Sequence, residues 1–126
     1  MSVLNRIEFE NQASARGAAQ EVFVTDSLST NLDWSTFELR QIGFNGVVID
    51  VPAGLQVFST VTNVATDPNP VQVTATLDPA TGMVSWQMTS VDPVTGELVE
   101  DPLAGFLPPN DDTQRGEGFV SYSIYP

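Results

Sequence analysis

Between two stretches of alternating apolar residues lies a connection with an unusual density of carboxylates: Glu97, Glu100, Asp101, Asp111, Asp112 and Glu117. Carboxylates, loop carbonyls and water in flexible geometry are what Ca²⁺ requires. The residues expected to carry such a site are Asp101, Asp111, Asp112 and Glu117. The spacing fits no EF-hand, because Asp111-Asp112-Thr113 lacks both the alternating ligand pattern and the terminal Glu. The plainer reading of the same residues is solvated acid. Asp26 and Asp33 form a weaker second cluster, read here as turn residues.

Four Asp-Pro pairs are the second candidate: Asp67-Pro68, Asp78-Pro79, Asp92-Pro93 and Asp101-Pro102. Asp-Pro is a bond at which self-processing modules break, but Asp followed by Pro also suits the first two positions of a turn. Paired carboxylates for glycoside hydrolysis come third. No apolar pocket is legible around any pair to raise a pKa, so no enzyme is expected.

The missing residue types exclude much more. The chain has no His, no Cys and no Lys, and its four basic residues are Arg6, Arg16, Arg40 and Arg115. The usual zinc, haem and iron–sulfur sites cannot be built, nor can a Ser-His-Asp triad, a Cys nucleophile or a Schiff base. Sixteen acidic residues against four basic ones give a net charge of −12, which disfavours nucleic acid and anionic lipid as partners. No apolar run is long enough to span a bilayer. The 126 residues suffice for one domain spanning 1–126. The start, Met1-Ser2-Val3-Leu4-Asn5-Arg6, does not read as a signal peptide, and a domain excised from a longer exported chain is expected.

The elements that must position these groups read as strands. Ile7 and Phe9 alternate with charged residues, Glu21 to Thr25 forms a second segment, and Phe37 and Leu39 alternate with Glu38 and Arg40. Asn45-Gly46 marks a hairpin turn, followed by Val47, Ile49 and Val51. Leu55, Val57 and Val61 share a face, and Asp67-Pro68-Asn69-Pro70 is expected to break the chain. The cleanest alternation is Val71, Val73, Ala75 and Leu77; after the turn Asp78-Pro79-Ala80-Thr81-Gly82 come Val84, Trp86 and Met88, and later Val120, Tyr122 and Ile124. No segment has a helical period. About eight short strands with closely spaced turns predict an all-β, antiparallel β-sandwich. Trp86 is the expected core anchor, whereas Trp34, in a loop, is expected at the core edge.

Several stretches resemble one immunoglobulin-like "conserved repeat" module of large bacterial cell-surface and secreted proteins. They are Phe9-Glu10-Asn11 with Val24-Thr25-Asp26-Ser27-Leu28, and Leu32-Asp33-Trp34-Ser35-Thr36-Phe37; Leu77-Asp78-Pro79-Ala80-Thr81-Gly82 with Trp86; and the run from Asp101 to Asn110 with Gly116-Glu117-Gly118-Phe119. The resemblance implies an immunoglobulin-like sandwich, an extracellular structural or adhesive role in a tandem array, and no catalytic residues. In that family another strand follows the one matching Phe119 to Tyr125. An unfilled groove with an unpaired edge, open to a peptide strand or a neighbouring copy, is therefore expected, as in a split domain. The competing expectations are a carbohydrate-binding module using Trp34, and Ca²⁺-dependent self-processing at Asp-Pro.

Overall fold

Alternation of apolar and polar residues places every second side chain on one face of a strand, so two such sheets can close face to face. The computed structural model, which describes residues 2–102 and 104–126, has that layout. Its strands are β1 (Val3–Glu10), β2 (Glu21–Ser27), β3 (Asp33–Phe44), β4 (Val47–Asp50), β5 (Val57–Val64), β6 (Asp67–Leu77), β7 (Met83–Ser90) and β8 (Glu117–Tyr125). One sheet runs β1-β8-β3-β4 and the other β2-β7-β6-β5, and all pairings are antiparallel. No helix occurs among the described residues.

The layered architecture is the expected one, but the strand order departs from the immunoglobulin arrangement, in which the first two strands pair with each other. Here β1 and β2 belong to opposite sheets; β1 pairs with β8, and β2 with β7. This nesting of early with late strands is closer to a jelly roll. The final strand is not an edge: β8 lies between β1 and β3, and among the described residues the edge strands are β1, β4, β2 and β5.

Val71, Val73, Ala75, Val84, Trp86 and Met88 line the inner face of the second sheet and are fully buried. Opposite them sit Phe37, Leu39, Ile42, Phe44, Val120, Tyr122 and Ile124. Each of the larger apolar side chains contributes roughly 1.5–3 kcal/mol by leaving water. Leu39 and Ile42 are an odd number of residues apart, and regular pleating would put them on opposite faces. A bulge between them resolves this: two residues, Arg40 and Gln41, oppose the single Ser121. The Ser121 hydroxyl accepts the displaced Gln41 N–H at 3.0 Å.

The turns follow from their residues. Asn45 and Gly46 both have positive φ (46° and 77°), the geometry of a type I′ hairpin. Asp78-Pro79-Ala80-Thr81-Gly82 and Asp92-Pro93-Val94-Thr95-Gly96 are one turn used twice. In each, the Asp Oδ1 accepts the N–H two residues on (2.9 and 2.8 Å). The Asp carbonyl in turn accepts the Gly N–H (2.9 and 2.7 Å). Asp67-Pro68-Asn69-Pro70 does not break the chain. It begins β6, and the reversal is a tight turn at Ala65-Thr66. The buried Asp67 carboxylate accepts the Ser90 hydroxyl at 2.9 Å and the Asn69 N–H at 3.0 Å, which explains an Asp at a strand start.

Asp26 is likewise no turn residue. It lies in β2 and accepts the Tyr122 hydroxyl at 2.6 Å, linking the two sheets. Burial and the Asp26 carboxylate push the Tyr122 hydroxyl well above the ordinary tyrosine range. The folded state then holds its proton where the unfolded state releases it. The stabilisation is complete below about pH 10 and declines as pH rises above it. No Lys or Cys side chain is present to titrate over the same range. Urea midpoints from pH 8 to 11 are expected to fall for the natural chain and to fall less for Tyr122→Phe. Equal slopes would remove the Tyr122–Asp26 link from the account.

Candidate functional site

A connection of 26 residues between β7 and β8 must either be mobile or be fastened. This one is fastened, because its middle is apolar. Phe106 and Leu107 are buried (0% and 1% exposed) and close the end of the sandwich. The Phe106 ring meets Phe44 edge-on, centroids 5.1 Å apart. Main-chain bonds join Ala19 to Phe106 and Leu107, and the Asn45 amide donates to the Phe106 carbonyl at 2.9 Å. Asn11 holds the other side: its amide donates to the Gly17 and Leu107 carbonyls, both at 3.0 Å. Gly105 is required by close approach, since a Cβ there would come within 2.5 Å of the Ala19 carbonyl oxygen.

The carboxylates sit around this plug, on the outside. Asp101, Asp111, Asp112 and Glu117 are all exposed. Asp111 Oδ1 accepts the Thr113 hydroxyl (2.5 Å) and N–H (2.9 Å), while Oδ2 pairs with Arg115 at 2.9 Å. The Thr113 hydrogen bonds, with Arg115 adding to them, hold its carboxyl below the usual carboxylate range. Glu117 turns toward β1, where it pairs in register with Glu10. The Asn110 amide lies between the two, donating to Glu10 at 2.8 Å and Glu117 at 3.0 Å. The Asp101 carbonyl accepts a short bond from the Gln20 amide. No group of three or more carboxylates suited to a metal forms among the described residues. Glu10 and Asn110 were not singled out by sequence. Only the register of β1 against β8, a pairing across more than 100 residues, reveals them.

A groove of about 650 Å³ opens on the outer face of the first sheet, lined by Arg6, Glu8, Glu10, Gln114, Glu117 and Phe119 among others. Its Phe119 ring is not free to stack on a sugar. Phe119 lies over Gly43, where a Cβ would meet the ring at 2.3 Å, and Arg6 sits 3.8 Å from the ring centroid. Trp34, placed by sequence in a loop, belongs to β3. It is half-buried, its indole N–H donates to the Ser29 carbonyl at 2.9 Å, and its ring rests against Gly82. The Asp-Pro carboxylates of Asp67, Asp78 and Asp92 each bond forward to the N–H two residues on, the turn role rather than attack on their own carbonyl.

The second sheet has a different outer face. Its outward residues are Ser, Thr, Gln, Asn, Val, Phe and Met, with Glu21 the one carboxylate. Phe23, Val57, Val61 and Met83 are 60%, 59%, 61% and 40% exposed there. The face ends at β5, whose outer edge carries no strand among the described residues. In a chain of net charge −12, four adjacent strands with one outward charge form a distinct surface. Comparison with family models, curated proteins and solved structures gave no match. No helix among the described residues is long and apolar enough to cross a membrane.

Proposed function

We propose that this chain is a non-enzymatic structural or adhesive module of a bacterial surface or secreted protein. It joins a peptide strand or a neighbouring copy by strand addition. The observation that carries the reading is β5. This edge strand of eight residues has no charge, no Pro and no Gly, and among the described residues no strand pairs with its outer edge. Natural sheets guard such edges, and strand addition is the recognition mode an unguarded one suits. The plugged connection supports a mechanical role, since its buried core and its bonds to Ala19, Asn11 and Asn45 brace one end of the sandwich. The sequence resemblance supports an extracellular setting.

Ca²⁺ belongs to the proposal as a stiffener of the acidic connection, with less behind it, because Asp111 and Glu117 already have partners. Thermal melts with and without Ca²⁺, at two protein concentrations, separate the parts. A midpoint that rises with protein concentration is the expected result for assembly. A Ca²⁺-linked rise that disappears in Asp111→Asn would place the ion in the connection. A midpoint indifferent to concentration and to added strands would overturn the assembly role.

A further inference from the structure

Three of the four sheet edges carry features that deter another strand. β1 presents Arg6, Glu8 and Glu10, β2 carries Glu21 and Asp26, and β4 is four residues long and ends at Asp50. β5 has none of these. We infer that β5 is the seam at which two copies of this chain join, antiparallel and in one register, to make a continuous eight-stranded sheet. This deepens the strand-joining reading above and rests on it.

The register follows from which backbone groups are free. The Leu77 N–H donates to the Gln56 carbonyl at 2.9 Å, immediately before the paired run from Val57↔Thr76 to Thr62↔Val71. Antiparallel ladders alternate bonded and non-bonded pairs. Phe58, Thr60 and Thr62 therefore bond to β6, and Val57, Ser59 and Val61 turn their N–H and C=O groups outward; Asn63 lies at the register shift that follows Thr62. A two-fold pairing has Ser59 facing Val61 and Thr60 facing Thr60 of the second copy, with Val57 opposite Asn63 at either end. The two central bonded pairs make about four main-chain bonds.

The two-fold register names a second copy as occupant, and charge does not bar it. Two bodies of net charge −12 repel, so they can meet only where no carboxylate opposes another. Along this seam none does. Glu21, the one outward charge of the sheet, lies three strands from β5, about 14 Å, beyond the screening length of about 8 Å at physiological salt. A basic segment would be drawn instead to the carboxylates around the connection. The two-fold pairing also closes on itself, giving a dimer rather than a fibre.

Sedimentation from about 10 μM to about 1 mM is expected to show a monomer–dimer equilibrium that tightens as NaCl is added, because salt screens the repulsion. Ser59→Pro removes an outward N–H and leaves the bonds to β6 intact; it is expected to weaken the dimer about 100-fold with the monomer still folded. Ser59→Lys serves if the Pro variant does not fold. Thr60→Cys, in a chain without other Cys, places two thiols on a non-bonded pair with Cα atoms about 4.5 Å apart. It is expected to give a disulfide dimer on oxidation, whereas Thr25→Cys on β2 is not. A dimer that survives in a folded Ser59→Pro or Ser59→Lys chain would overturn the seam and leave strand joining standing at another edge. A natural chain that stays monomeric at about 1 mM, with Thr60→Cys uncrosslinked, overturns the self-pairing. Failure to take up any added β-strand peptide as well would overturn the reading beneath it.

Discussion

Trp86→Ala is expected to cost about 3–5 kcal/mol, enough to unfold much of a domain whose total stability is of order 5–15 kcal/mol. Trp86 is fully buried at the centre of β7, flanked in register by Val24 on β2 and Ala75 on β6. Its ring stacks on Tyr122 of the opposite sheet, centroids 6.0 Å apart. No small residue can fill the space between the sheets, so a cavity remains. Trp86→Phe is expected to be much milder. The indole Nε1 meets no acceptor among the described residues, so the replacement breaks no hydrogen bond and removes a buried unpaired donor. Such a donor costs roughly 1–3 kcal/mol, which offsets part of the lost volume. Urea denaturation of the two variants measures the difference. Equal losses would mean that the indole nitrogen has a partner after all.

The second large effect is expected at Phe106, in the connection rather than in a strand. Phe106→Ala removes the ring that packs on Phe44 and is expected to cost about 3–5 kcal/mol. It also has a local signature. Hydrogen exchange and proteolysis should rise across residues 91–116 before the sheets open, because the main-chain bonds to Ala19 rely on the buried ring to hold them. Asp111→Asn, on the same connection but exposed, is expected to change stability by no more than about 0.5 kcal/mol. A Phe106→Ala chain as stable and as protease-resistant as the natural one would mean that the connection is a surface loop and no plug.

The contrast between Phe106 and Asp111 shows where reading the sequence succeeded and where it stopped. Val71, Val73, Ala75 and Leu77, or Val84, Trp86 and Met88, declare their buried face through strict alternation, and the structure buries all of them. Both Asp-Pro-x-Thr-Gly turns and the Asn45-Gly46 hairpin are equally local and equally legible. Val57 and Val61 do share a face, but it is the solvent face; periodicity fixes which residues lie together and not which side the second sheet covers. Leu39 and Ile42 hide behind a bulge, which alternation cannot anticipate. Phe106 and Leu107 sit in a Pro/Gly-rich run that reads as surface, and their burial depends on Ala19 and Asn45, residues far away in the chain. The candidate site suffered most. Nearness in sequence grouped Asp101, Asp111, Asp112 and Glu117, whereas the fold gives Glu117 to Glu10 and Asp111 to Thr113 and Arg115.

The pairing of β1 with β8 also bears on how the molecule comes into being. β5, β6 and β7 form a meander of neighbours, so that three strands of one sheet can assemble from local contacts alone. The other sheet cannot: β8 is its central plank, and until that segment has left the ribosome β1 has no strand of its sheet to bind and β3 has only the four residues of β4. Topologies so dependent on distant partners take milliseconds to seconds to form rather than microseconds. During that interval the meander stands with its apolar side uncovered and its bare margin exposed, which makes the newborn chain, more than the finished one, the form in most need of a chaperone's attention.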